Sequence, residues 1–133
     1  MRIISLLIAG LLLISCSDNS AVSKKLSGSD SLIINFKDIS SGRITKSLVT
    51  TELKAIKRLQ QFVAGKSTEE YKCGYNGSLL FYEKGNLVSD VSFNYAKDCA
   101  HFLLSVQEKL VSTKMSNEAA DFLVGLEQGK DWY

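Results

Sequence analysis

The stretch that decides the fold is "GSLLFYEKGNLVSDVSFNY" (residues 77–95), in which two apolar runs flank the short segment "EKGN". Gly85-Asn86 suits a tight hairpin turn, because such turns need backbone conformations that glycine and asparagine adopt readily. Larger side chains alternate with polar ones along the second run, and one face carries Leu87, Val91, Phe93 and Tyr95. Alternation of this kind is typical of a half-buried strand. The stretch therefore predicts an antiparallel hairpin with one face in the core.

Further strands are predicted on both sides of this hairpin. Upstream, "LIINFKDI" (residues 32–39) and "RITKSLV" (residues 43–49) flank the turn signal "SSG" and predict an N-terminal hairpin. Downstream, "AHFLLSV" and "KLVSTK" predict another hairpin that turns at Gln107 and Glu108. The whole pattern predicts an N-terminal hairpin plus a four-strand meander.

Two helices are predicted around these strands. Apolar residues recur at helical spacing before Gly65, at Leu53, Ile56, Leu59, Phe62 and Val63. The other face of this helix is basic, which predicts a solvated surface or a contact with an anionic membrane or partner. Near the C-terminus, Ser116 can cap a second helix that ends at Gly129. We therefore expect an α+β domain, an antiparallel sheet packed against two helices.

The N-terminus has the pattern of a signal peptide. Arg2 precedes the apolar run "IISLLIAGLLLI" (residues 3–14). Twelve helical residues would span roughly 18 Å, short of the roughly 30 Å hydrocarbon core of a membrane. A single positive charge, a short apolar run and a small residue after it are typical of a secretory signal. A buried N-terminal core helix is the alternative interpretation.

The end of this run, "LISC" (Leu13, Ile14, Ser15, Cys16), resembles the lipobox of bacterial lipoprotein precursors. The resemblance implies cleavage before Cys16, a diacylglycerol thioether on its sulfur and an acylated amino terminus, and several chains anchor a protein stably in a lipid bilayer. It also implies a place in the bacterial cell envelope. Ser17 rather than aspartate follows the cysteine, which favours the outer membrane, on its periplasmic side or at the cell surface. We expect residues 1–15 to be a signal peptide, residues 16–31 a lipidated flexible tether, and residues 32–133 the domain.

Lipidation of Cys16 would leave an even number of cysteines, Cys73 and Cys99. An oxidising envelope compartment favours a disulfide between them, and closing the loop would stabilise the fold by roughly 3.5 kcal/mol. A pair of reduced, buried thiols is the alternative. Elements of the form C-G-Y-x-G, D-C-x-H-F and S-x-E-A-A-x-F-L (residues 73–77, 98–102 and 116–123) are similar to those of small uncharacterised bacterial lipoproteins, a resemblance that implies a domain unit.

No residue pattern in the chain predicts catalysis. The net charge of +2 is too small for the electrostatic footprint of a nucleic-acid-binding protein, and the single histidine leaves too few ligands for a metal site. We expect no cofactor and no enzymatic activity. Tyr75, Tyr82 and His101 form the candidate binding surface. The leading hypothesis is a membrane-tethered module that binds an envelope protein or polymer. The alternatives are a small hydrolase using His101 as acid or base, and an apolar-ligand carrier, which needs a cavity of roughly 300 Å³.

Overall fold

Six antiparallel strands form one open sheet with three helices packed on one face, in a computed structural model that describes residues 20–132. The strands lie side by side in the order β2-β1-β3-β4-β5-β6. The predicted α+β class is thus confirmed. In chain order the elements are α1 (Ser20–Leu26), β1 (Ser31–Lys37), β2 (Ile44–Thr50), α2 (Leu53–Val63), β3 (Gly77–Glu83), β4 (Asn86–Asn94), β5 (His101–Val106), β6 (Lys109–Lys114) and α3 (Asn117–Glu127).

The first helix corrects the prediction of a flexible tether. Val22 and Leu26 of α1 are 1% and 0% exposed, because residues four apart lie on one face of a helix and this face packs into the core. The side-chain amide of Gln60 also donates to the carbonyl oxygen of Leu26 at 2.7 Å. The folded domain therefore includes Ser20, twelve residues before the predicted boundary. The predicted signal peptide and Cys16 lie outside the described residues.

The core lies between the sheet and the helices. Alternate residues of the four central strands are fully buried there, and the largest of these side chains are Phe36, Phe81, Phe93 and Phe102. The rings of Phe36 and Phe93 meet edge to face with centroids 5.9 Å apart. Gly77 makes this packing possible, because a Cβ atom there would overlap the Phe93 ring and the carbonyl oxygen of Asn35.

The third helix is fixed at both ends. Ser116 caps it as predicted, its hydroxyl accepting from the backbone N–H of Ala119 at 3.1 Å. At the other end, the Lys46 ammonium donates to the carbonyl oxygens of Leu126 and Glu127 at 3.2 and 3.0 Å. A cation is favourable at this end of a helix, because the last carbonyl groups have no partner within the helix.

Two side chains pack against the C-terminal half of α3. The Tyr95 hydroxyl donates to the Glu127 carboxylate, and burial together with this bond raises the pKa of Tyr95 to about 12. Trp132 is half-buried, with its ring centroid 6.3 Å from that of Phe122. The described end of the chain is thus docked on α3.

The central hairpin departs from its predicted register in two places. The turn residues with positive φ are Lys84 and Gly85, so the turn begins one residue earlier than predicted. A register shift opposite Phe81 and Tyr82 also places Leu87 across from Tyr82. This bulge changes the face on which the strand's side chains lie, so Leu87 is exposed rather than in the core.

The two edges of the sheet differ. At the β6 edge, Ser67 forms an antiparallel bridge with Thr113, and the backbone N–H of Thr68 donates to the carbonyl oxygen of Ser112 at 2.9 Å. Within residues 20–132, no segment pairs with the outer edge of β2. One edge is therefore occupied by the chain itself.

Candidate functional site

The sequence-predicted site residue His101 lies on the face of the sheet opposite the helices, which we call the open face. It begins β5 and pairs across the sheet with Asn94 of β4. Its neighbour Phe102 points into the helical core, and because successive strand residues alternate, His101 points to the open face. Even so, His101 is 0% exposed. Something must cover the open face at this point.

The cover is the connection between α2 and β3 (residues 64–76). After running along β6, this connection crosses the open face and places the rings of Tyr71 and Tyr75 over the His101 ring, with centroids 5.2 and 5.5 Å away. Burial, and to a smaller extent repulsion from the Glu70 carboxylate, raises the pKa of the Tyr75 hydroxyl. Tyr75 and His101 are thus in contact, with the buried histidine beneath the tyrosine rings.

A disulfide joins this cover to the loop between β4 and β5. It links Cys73 to Cys99, the predicted pair, with Cα atoms 6.2 Å apart and 26 positions apart in the chain. The distance is usual for a disulfide. The bond therefore connects the cover to the loop that immediately precedes His101.

Asn94 connects the same two segments through its side-chain amide. Its Nδ2 donates to the carbonyl oxygen of Gly74 at 2.9 Å, and its Oδ1 accepts from the backbone N–H of Ala96 at 2.8 Å. Asn94 is buried, so these bonds satisfy groups that would be costly to leave unpaired. From the cover, the Asn76 side chain accepts from the Tyr95 backbone N–H at 2.9 Å.

The two ring nitrogens of His101 have different surroundings. Nδ1 lies 2.6 Å from the carbonyl oxygen of Cys99, and because a carbonyl only accepts, Nδ1 carries the hydrogen and donates. Nε2 is buried and has no hydrogen-bond partner among the described residues. Neither nitrogen is paired with a carboxylate or serine hydroxyl there, as a triad would require. Acid–base chemistry at Nε2 would need the cover to open.

Tyr82, the third predicted binding residue, lies at the other end of the sheet. It pairs with Ser31 of β1 and Leu87 of β4, whereas the His101 site adjoins the start of β3. The five residue-to-residue steps from Gly77 to Tyr82 span about 17 Å of strand. The predicted surface of Tyr75, Tyr82 and His101 is therefore wrong as a single site.

Around Tyr82 the open face carries a group of apolar side chains that sequence reasoning did not assemble. We call it the apolar strip and define it as Ile33, Val49, Leu80, Tyr82 and Leu87. Ile33 pairs with both Val49 and Leu80, which places these three side chains in one row across β2, β1 and β3. Val49 is 66% and Leu87 54% exposed. The uninterrupted run "LLFY" was the available signal, because it places apolar residues on both faces of β3.

The helical side carries a groove of about 500 Å³ between α2 and α3, which is lined in part by Lys57, Arg58 and Phe62. The Arg58 guanidinium pairs with the Glu118 carboxylate at 3.4 Å and lies 4.4 Å from the centroid of the Phe122 ring. This ion pair lies at the surface, with the Arg58 and Glu118 side chains 38% and 71% exposed. The groove is lined mainly by polar and charged side chains.

Two further observations concern metal binding and membrane spanning. Among residues 20–132, no three histidine, cysteine or acidic side chains are grouped so that they could hold a metal ion. Each helix in the same range is too short or too polar to cross a membrane.

In comparisons with known proteins, no family model, curated protein or solved structure matches this chain.

Proposed function

We propose that this chain is a lipid-anchored protein of the bacterial cell envelope whose domain is a non-enzymatic binding module. Cys16 would attach it to the bilayer, in the outer membrane, and the open face of the sheet would bind another envelope protein. The lipobox-like "LISC" supports the anchor. The disulfide between Cys73 and Cys99 fits an oxidising compartment outside the cytoplasm.

The apolar strip is the observation that carries the binding function. The solvated face of an antiparallel sheet is usually polar, and neighbouring exposed apolar side chains typically mark an interaction site. Exposed Val49 and Leu87 flank the half-buried Leu80 and Tyr82. Aliphatic side chains beside a tyrosine suit a protein surface better than a polar glycan, because a glycan needs many hydrogen-bonding groups.

Site-specific photocrosslinking in the native host tests this proposal. A photoreactive amino acid at Tyr82 should give a discrete crosslinked protein, and Val49→Asp should reduce its yield about tenfold by placing a charge in the contact. Ile39→Asp is the matched control, because Ile39 is also an exposed apolar residue but lies in the turn between β1 and β2.

The outcomes separate the alternatives. A protein partner on the apolar strip would be contradicted by equal crosslinking yields in Val49→Asp and Ile39→Asp. It would also be contradicted if no crosslinked product formed with the photoreactive amino acid at Tyr82 or, in a second experiment, at Leu87. Crosslinking to a glycan instead would show that the partner is an envelope polymer and not a protein. Thermal unfolding of each variant shows whether it remains folded.

A small envelope hydrolase is the second candidate, because the Nε2 atom of His101 is buried and has no hydrogen-bond partner within residues 20–132. Its activity would require the cover to move, since Tyr71 and Tyr75 lie against the imidazole. Any hydrolase activity of the purified protein should then be lost in His101→Gln and increased by reducing the disulfide. An activity unchanged in both experiments would exclude this candidate.

A further inference from the structure

The charges of the helical layer are strongly asymmetric. α1 and α2 together contain five of the chain's sixteen Lys and Arg residues and none of its fourteen Asp and Glu residues. We call these five residues the basic helical surface: Lys24, Lys25, Lys54, Lys57 and Arg58. The acidic residues of the helical layer lie outside these two helices: Glu52 precedes α2, and α3 contains Glu118, which pairs with Arg58, together with Asp121 and Glu127.

The two basic helices lie next to each other. Ser23 and Ser27 of α1 line a groove with Lys57 and Gln61 of α2, so the outer sides of the two helices form one continuous surface. Lys24, Lys54 and Lys57 are exposed on these helices. The Lys25 ammonium donates to the Ser105 carbonyl oxygen and is less exposed.

The position of α1 limits how far the domain can lie from a lipid on Cys16. Ser20 begins the helix four residues after Cys16, and four extended residues reach at most about 14 Å. Because α1 lies on the helical side of the sheet, the described chain begins on that side, at Ser20. A lipid anchor would therefore hold the basic helical surface near the headgroups.

We propose that the basic helical surface lies against an anionic phospholipid bilayer, so that the open face and its apolar strip point away from the membrane. This inference rests on the lipid anchor of the proposed function. Each lysine or arginine near an anionic membrane strengthens binding about fivefold, and the attraction falls off within about 10 Å at 0.1 M salt. A connection of at most about 14 Å is short enough to let the surface come within that range.

Lysine footprinting of the full-length, processed protein tests this orientation. The protein is reconstituted into vesicles of phosphatidylcholine, with or without phosphatidylglycerol, and acetylated with a membrane-impermeant reagent. In the anionic vesicles, Lys24, Lys54 and Lys57 should react about threefold more slowly. Exposed Lys72, in the cover, and Lys97, before β5, should react at equal rates in both kinds of vesicle.

A charge reversal provides the matched control. Lys24→Glu with Lys57→Glu should abolish the protection of Lys54, whereas Lys72→Glu with Lys97→Glu should leave it intact. Uniform acetylation rates in both vesicles, with Cys16 acylated by mass spectrometry, would overturn the orientation alone. An unacylated Cys16 in the native host would overturn the anchor and the orientation together.

Discussion

The two ends of the open face differ, although they are built on the same sheet. At one end, a disulfide-linked cover buries His101 beneath Tyr71 and Tyr75, and the buried Asn94 side chain donates to the Gly74 carbonyl oxygen of the same cover. At the other end, the apolar strip is exposed in the part of the chain that the structure describes. The polar end is thus covered and the apolar end bare, the reverse of what burial of apolar surface alone would produce.

This difference indicates that the cover stabilises the fold, whereas the exposed apolar end provides a surface for binding. Buried polar groups are tolerated when nearly all of them are hydrogen-bonded, and Asn94 and Asn76 satisfy backbone groups of the cover and its neighbouring loop. An exposed apolar row contributes little to folding and costs solubility. Mutations at the two ends should therefore affect different properties.

The largest expected effect is at the covered end. Replacing both Cys73 and Cys99 by serine should lower the free energy of unfolding by about 3.5 kcal/mol, because the unfolded chain regains the entropy of an open loop. Urea unfolding measures this loss, and the reduced wild-type protein should behave like the double variant. Hydrogen exchange should also quicken in residues 64–76 and not in α2. A loss below about 1 kcal/mol would show that the cover holds without its disulfide.

Asn94→Ala should have the next largest effect. The variant removes the two hydrogen bonds that the buried Asn94 amide makes to Gly74 and Ala96, and at roughly 1 kcal/mol for each bond this should cost about 2 kcal/mol in urea unfolding. Exposed Asn117 provides the control, and Asn117→Ala should change stability by no more than about 0.5 kcal/mol. Equal effects of the two substitutions would argue against a structural role for the amide of Asn94.

The smallest effect on stability is expected at the bare end. Val49→Ala should change the free energy of unfolding by about 0.5 kcal/mol or less, because Val49 is already largely solvated. The same substitution at buried Val91, on the helical side of the sheet, should cost about 2 kcal/mol. A large loss in Val49→Ala would mean that the apolar strip serves the fold rather than a partner.

Local patterns predicted much of the fold. The class, the hairpin turn at Gln107 and Glu108 and the Ser116 cap depend on periodicity and on short-range turn and cap chemistry, which a sequence displays directly. Helix α1 is not predicted because seven residues with only two buried apolar side chains have little helical signal of their own. Packing against the rest of the domain supplies its stability.

The candidate site was harder to predict because it depends on contacts between distant segments. Burial of His101 follows from the path of residues 64–76 along β6 and over the sheet, which no local pattern encodes. The bulge at Val88 exposes Leu87 by interrupting an otherwise regular alternation. The prediction of a disulfide between Cys73 and Cys99 rests on the number of cysteines, which is even only if Cys16 carries a lipid.

The unequal edges of the sheet limit how copies of this chain can assemble. Strand pairing between molecules needs a free edge, and residues 66–68 already pair with the Ser112, Thr113 and Lys114 end of the β6 edge. Two copies joined at β2 by a twofold axis would leave only blocked edges at both ends of a twelve-stranded sheet. Edge pairing would then stop at a dimer, since a filament needs two free edges per molecule.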